Sequence, residues 1–339
     1  MTDSDDARLF FRLSFWTLFD AVVDAVYMLE TSYDSSNFFR EFGFFDGPDP
    51  THGYVEYVDA SNATELDLAG HRDGLVYMGV DHTTVDPANG RKSVRLTSNK
   101  SWSRGLFVAD IVHMPGSLCG LWPAMWLHGP DWPVCGEIDI IEGVNSQSSN
   151  IITLHTSPGC TIDNTGTTAS TVLNGPDCNL GCSQITSDPV SYGNGFNQNG
   201  GGVYALEWTS SHISVWFFSR RHVPLDITNQ EPNPSSWDQP AARFNGDSGC
   251  SIDGHFRNNN LIFDTTFCGD WAGTEVVWEA DLVCSAVAGG KTCVEFVATN
   301  PSEFIEAYWL IASIRIYQQD DANQGAASNY SSPGTYLSP

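Results

Sequence analysis

Between residues 74 and 317, short runs of β-branched and aromatic residues recur between turns of Gly, Asn, Asp and Ser, and this recurrence constrains the fold most. GLVYMGVDH (74–82), SVRLTS (93–98), GLFVADIVHM (105–114) and NIITLHTS (150–157) carry the residue types that strands favour. VYALEW (203–208) and HISVWFFS (212–219), separated by TSS, read as a hairpin. LIFDTTF (261–267) and YWLIASIRIY (308–317) continue the pattern. In the last, simple alternation places Leu310, Ala312, Ile314 and Ile316 on one face. So many strands at this spacing predict an all-β sandwich or jelly roll. Helix signals are few: NPSEFIEA (300–307), with Asn300 as cap and Pro301 in the first turn, and SSNFFREF (35–42).

No repeat or linker divides the chain, so the expected organisation is an N-terminal extension over 1–24, one domain over 25–318 and a mobile tail over 319–339. Two polar, glycine-rich connections, roughly 157–202 and 220–260, are long enough to be functional walls or covalently pinned loops.

The formal charge is −26, from 15 Lys+Arg against 41 Asp+Glu. Such a surface repels phosphate backbones and anionic lipid, which argues against nucleic-acid and membrane partners. Nine cysteines lie mostly in Gly/Asn/Ser-rich segments and form no CxxC pair, and no histidine cluster has zinc spacing. They predict several disulfides, one unpaired cysteine and an oxidising, extracellular location. Sequons at Asn62, Asn99 and Asn329 agree with a secreted glycoprotein. The N-terminus opens with three Asp, and Asp20 and Asp24 interrupt its apolar run, so it does not read as a signal peptide.

The chemistry sits in GEIDIIEGVN (136–145). As a strand, Glu137 and Asp139 share a face, whereas Glu142 falls on the opposite one. A β-bulge at Ile140–Ile141 repairs the phase and aims all three carboxylates at one surface. Two Glu leaning together across a curved strand bring their carboxyls to about 5–5.5 Å, the separation of a retaining glycosidase pair. Clustered acids resist simultaneous ionisation, so a proton is retained for the leaving oxygen. An acidic solvent-facing strand or half of a calcium site is the bland alternative. Immediately upstream, LWPAMWLHGPDWP holds Trp122, Trp126 and Trp132. Trp122 reads as core; Trp126 and Trp132 flank a turn and offer faces on which sugar rings stack, and Trp271 in CGDWAG offers another.

LWPAMWLHGPDWPVCGEIDIIEGVN, TLHTSPGC, YGNGFNQNGGGVYALEW and FCGDWAG together resemble the fungal laminarinase branch of glycoside hydrolase family sixteen, over about residues 25–318. The resemblance implies a β-jelly roll with a concave sugar-binding cleft and endo-hydrolysis of β-1,3 or mixed β-1,3/1,4-glucan with retention, by a monomer needing no cofactor or metal. It implies Glu137 as nucleophile, Asp139 as its assisting carboxylate and Glu142 as acid/base. His155, Trp126, Trp132, Trp271 and Arg95 match substrate-binding positions. The six residues from Glu137 to Glu142 match hydrolytic members better than transglycosylases, and all three acids argue against a non-catalytic glucan-binding protein. Two departures stand out. Cys135 has no expected counterpart and is the candidate unpaired cysteine. Glu56 stands where an amide is expected at the cleft edge.

Overall fold

The computed structural model describes residues 26–168, 170–173, 177–246 and 249–319. The extension expected at 1–24, the Asn329 sequon and all but the first residue of the expected tail lie outside the described residues.

Strands are numbered in chain order. One antiparallel sheet contains β1 (Tyr27–Tyr33), β4 (Ala69–Arg72), β5 (Leu75–Met78), β8 (Gly105–His113), β14 (Gly202–Trp208), β15 (His212–Ser219), β16 (Ala242–Asn245) and β18 (Trp309–Gln319). Its order is β16-β15-β14-β8-β18-β5-β4, with β1 also paired to β18. The second contains β2 (Phe42–Phe44), β7 (Arg95–Trp102), β9 (Leu121–His128), β10 (Glu137–Glu142), β11 (Ile151–His155), β12 (Ser170–Leu173), β13 (Cys182–Ile185) and β17 (Asn259–Phe267). Its order is β12-β13-β11-β10-β9-β17-β7-β2. A short parallel pair, β3 (Val55–Tyr57) and β6 (Arg91–Ser93), stands apart. The chain is thus the all-β sandwich that the strand spacing predicts.

The two sheets bury one core between them. Phe107, Ile111, Leu206 and Ile314 of the first sheet share a cluster with Leu96, Met125, Leu127, Ile138 and Phe263 of the second. The expected β14–β15 hairpin is present, with Val203 opposite Phe218 and Trp208 opposite Ile213. The face expected for β18 needs correction. Irregularities near Ile311–Ser313 re-phase the strand, so Trp309 and Ile311 face the core before the bulge and Ile314 and Ile316 after it.

Both long connections are folded rather than structureless. The first holds β12, β13 and a helix at Gly193–Gln198; the second holds helices at Leu225–Thr228 and Ile252–His255 around β16. Disulfides Cys160–Cys250 and Cys178–Cys182 pin them. The helix expected at 35–42 spans Phe38–Glu41, and the one at 300–307 is a 3-10 turn, Pro301–Phe304. Asn300 stands at the N-cap of that turn as expected, but its side chain makes no cap hydrogen bond there; its amide donates to the Phe296 carbonyl and closes the preceding helix.

The sequence reading missed the helices Glu275–Ala280, Leu282–Ala288 and Cys293–Thr299, each too short to show a period. Their caps were legible, since Thr292 and Glu295 form a capping box and Asp281 accepts from two amides of its helix. Cys119–Cys284 and Cys268–Cys293 tie this helical cap to the chain beside β9 and β17. Cys135, the candidate unpaired cysteine, is the free one among the nine and is buried.

Candidate active site

β10 begins at a backbone turn that only glycine fits. Gly136 has φ +75°, and a Cβ there would lie 2.5 Å from the His255 carbonyl oxygen. From this turn Glu137 pairs with His128 on β9 and His155 on β11, and Asp139 pairs with Trp126 and Thr153. The register with β9 then slips: Ile141 faces Met125 and Glu142 faces Ala124, leaving Ile140 as the extra residue. The bulge is where the acids require it.

Asn150 replaces the ladder that the bulge interrupts. Its side-chain oxygen accepts from the Glu142 amide at 2.8 Å, and its NH2 donates to the Ile140 carbonyl at 2.7 Å. Ile138, Ile140 and Ile141 are all buried behind the strand. At about 1.5–3 kcal/mol for each buried side chain, they offset much of the cost of lining the other face with carboxylates.

Glu137, Asp139 and Glu142 open into one cleft across the outer face of the second sheet, lined also by Arg95, Trp122, Trp126, Trp132, His155, Asp264 and Trp271. His155 Nε2 lies 3.9 Å from Glu137 Oε1 and 3.7 Å from Asp139 Oδ2. Trp132 is 58% exposed at the rim, in a turn whose Trp132–Pro133 peptide is cis. Arg95 is buried, with its guanidinium carbon 4.9 Å from the ring centroids of both Trp126 and Phe45. All eight residues singled out from the sequence therefore meet in one groove.

Three findings lie beyond the sequence reading. Trp122 is a cleft residue rather than core: its indole N–H donates to Glu142 Oε1 at 2.8 Å and its ring meets Trp271 edge-on at 5.5 Å. Asp264 on β17 is a fourth acid in the groove and, like Asp139, is buried, 7% exposed. It accepts from the Trp126 indole at 3.3 Å and lies 4.0 Å from Arg95 Nε. The sequence signal was an Asp inside an apolar strand, LIFDTTF. Glu56, expected at the cleft edge, instead pairs with Lys92, and its neighbour Tyr57 lines the groove, because alternate residues of β3 point oppositely.

Burial dominates the electrostatics. It pushes the carboxyls of Glu137 and Asp139 well above the usual range, with repulsion from Glu142 the next cause in each. Glu142 is raised to about 7 by burial and by Asp264, against the Trp122 hydrogen bond. Asp264 is raised to about 7 by burial and then Asp49, against Arg95 and the Trp126 N–H. Burial also lowers His155 below the ordinary histidine range, so the imidazole is neutral near pH 7. The cleft floor thus retains protons at neutral pH and holds at least one acid ready to donate.

A family model of the XgeA-like catalytic GH16 domain matches residues 42–317. An endo-1,3(4)-beta-glucanase of Arthroderma benhamiae is 45% identical over 308 residues, covering 88% of this chain and 66% of that protein. The endo-1,3(4)-beta-glucanase xgeA of Emericella nidulans is 42% identical, covering 86% of this chain and 47% of that protein. The chain therefore spans between about half and two thirds of these two relatives. Among solved structures, GH16 Laminarinase 16A from Phanerochaete chrysosporium, with 6-O-glucosyl-laminaritriose in donor and acceptor sites, is 41% identical with a TM-score of 0.78. The match covers 87% of this chain and all of that one. An elongating GH family 16 beta-1,3-glucosyltransferase is 43% identical with a TM-score of 0.79, covering 86% of this chain and all of that one.

Proposed function

The chain belongs to the XgeA-like branch of glycoside hydrolase family 16, and from that membership we propose that it hydrolyses β-1,3 or mixed β-1,3/1,4-glucan internally, with retention at the anomeric carbon. The observation that carries this reading is the bulge, which aims Glu137, Asp139 and Glu142 into one groove walled by tryptophans.

In this mechanism Glu137 attacks the anomeric carbon as a carboxylate while Glu142 delivers its proton to the departing glycosidic oxygen. The C–O bond breaks and a glycosyl ester forms on Glu137. Glu142, now ionised, takes a proton from water, which attacks the ester and regenerates both groups. Two inversions at one carbon give net retention. Asp139 sits between the pair and shares protons with it. Trp126, Trp132 and Trp271 supply stacking faces, while Arg95 and His155 supply polar contacts at the reacting sugar and beside it.

Reducing-sugar release from laminarin and lichenan tests the assignment. Glu142→Gln lowers kcat by roughly 10²–10⁴-fold, the usual share of general acid–base catalysis. Glu137→Gln removes the covalent route and nearly all turnover, with both variants still folded. Activity near wild type in either one refutes these roles.

The likeness to a beta-1,3-glucosyltransferase favours a second reading, in which a sugar hydroxyl rather than water resolves the ester. Oligosaccharides longer than the donor, formed from short laminari-oligosaccharides, would establish it. Four disulfides, with Asn62 and Asn99 exposed, support a secreted, N-glycosylated protein. The expected check is a mass loss from secreted material on enzymatic deglycosylation.

A further inference from the structure

The sequence shows no zinc motif, yet strand pairing assembles one. Glu137, Asp139 and His155 each present a ligand atom within 4.8 Å of the other two, the one such group of three found among the described residues. The three come from adjacent strands: Glu137 and His155 are directly opposed, and Asp139 is two residues along the same face.

An independent observation points to a missing partner. Asp139 is 3% exposed, and its Oδ2 atom is buried without any hydrogen-bond partner. That atom faces His155 Nε2 at 3.7 Å, too far for a hydrogen bond. Such an unpaired carboxylate oxygen is costly to bury unless a proton or a cation satisfies it.

The spacing selects the cation. Ligands about 2.1 Å from a tetrahedral zinc ion stand about 3.4 Å apart. The two edges from His155 Nε2, 3.7 and 3.9 Å, need to contract by a few tenths of an ångström, and the third, between the Glu137 and Asp139 carboxylates, lies within 4.8 Å and closes by a side-chain rotation. Calcium takes six to eight oxygen ligands at longer distances, and magnesium takes an oxygen octahedron, so neither suits two carboxylates and an imidazole. Among the described residues the other acid–histidine ion pairs, His52–Asp270, His113–Glu306 and His212–Glu207, each bring one carboxylate within 4.0 Å of the imidazole.

We infer that Glu137, Asp139 and His155 form a zinc-binding site in the substrate-free cleft, and that zinc and glucan exclude one another there. Zinc on Glu137 occupies the oxygen needed for attack and fills the place of the reacting sugar. The binding rests on geometry alone; its inhibitory consequence rests on the nucleophile role proposed for Glu137.

Zinc chloride titrated calorimetrically into the full chain, in a non-chelating buffer, tests the site. One equivalent is expected per chain. His155→Ala and Asp139→Asn each weaken binding at least tenfold, with unchanged circular dichroism and a single cooperative melting transition showing that the variants fold. Cys135→Ser leaves affinity within twofold, which excludes the buried thiol as the ligand. In laminarin assays, zinc raises the apparent KM at constant kcat, and EDTA reverses it. No bound equivalent, binding that survives His155→Ala, or a fall in kcat at constant KM overturns the inference. Zinc binding by a chain that never cleaves laminarin refutes the hydrolytic reading instead and leaves the site standing.

Discussion

The cleft has two unlike halves on either side of β10. On the β9–β17–β7 side the polar groups interlock: the Trp126 indole donates to Asp264, Arg95 lies over Trp126, and His128 stacks on the same indole at 5.0 Å. On the β11–β13 side, Thr153 and Ser183 bond each other at 3.0 Å, flanked by Ile151, Ile185 and Gly181. A desolvated cation–π contact is worth about 2 kcal/mol and a neutral hydrogen bond about 1. One half can therefore grip a sugar by its face and its hydroxyls. The other offers a shallow floor on which shape decides. On the proposed mechanism the scissile bond lies over Glu137 and Glu142, so a substrate held firmly on one side and loosely on the other would release one product quickly and keep its partner for the second step.

The largest effect expected from this asymmetry is at Trp126. Trp126→Ala removes the stacking face, the donor to Asp264 and the cover over Arg95 together. A loss of roughly a hundredfold in kcat/KM on laminarin is expected, equal to about 2.7 kcal/mol of transition-state stabilisation. A loss below about fivefold would mean that the aromatic half is packing rather than grip.

How much of this was legible depended on which physical signal each residue carried. The bulge was readable because three acids on a half-buried strand make sense only with an extra residue, and the register slips between Asp139 and Ile141 as required. Trp126, Trp132 and Trp271 were marked by turns and by tethering cysteines. Trp122 was not, because an indole in an apolar strand reads the same whether its N–H meets core or Glu142. Asp264 was hidden by distance: its partner Arg95 is 169 positions earlier, and antiparallel pairing of β17 with β7 alone joins them. The helical cap was missed because helices of six or seven residues carry less periodicity than their caps do.

Asp264 tests what the aromatic half costs the fold. Its carboxyl is raised from 3.8 to about 7, mainly by burial. The native state therefore holds a proton between pH 4 and 7 that the unfolded chain has released. Stability from this group is full below pH 4 and lost as pH rises through 7. A tenfold change in acidity corresponds to about 1.4 kcal/mol, so Asp264 alone costs roughly a few kcal/mol at pH 8. Asp264→Asn should flatten the fall in melting temperature between pH 4 and 8 while lowering activity several-fold, a trade of activity for stability. An unchanged pH slope would show that the cost lies in Glu137, Asp139 and Glu142 instead.

The smallest effects belong to the β11–β13 half, and they separate shape from chemistry. Ser183→Ala removes one hydroxyl of a pair already satisfied by Thr153, so a change of less than about threefold in kcat/KM is expected. Gly181→Ala removes no interaction, yet Gly181 has φ +96° and a Cβ there would lie 2.8 Å from His155 Cε1. Forcing that contact displaces the imidazole that faces Glu137 and Asp139, and the backbone strain costs about 1–3 kcal/mol. Gly181→Ala should therefore exceed Ser183→Ala severalfold in kcat/KM, with a lower melting temperature. Equal, small effects at both positions would mean that His155 yields freely and that this half does not shape the reacting site. A larger effect at Ser183 would reverse the comparison, making its hydroxyl a substrate contact that outranks steric fit.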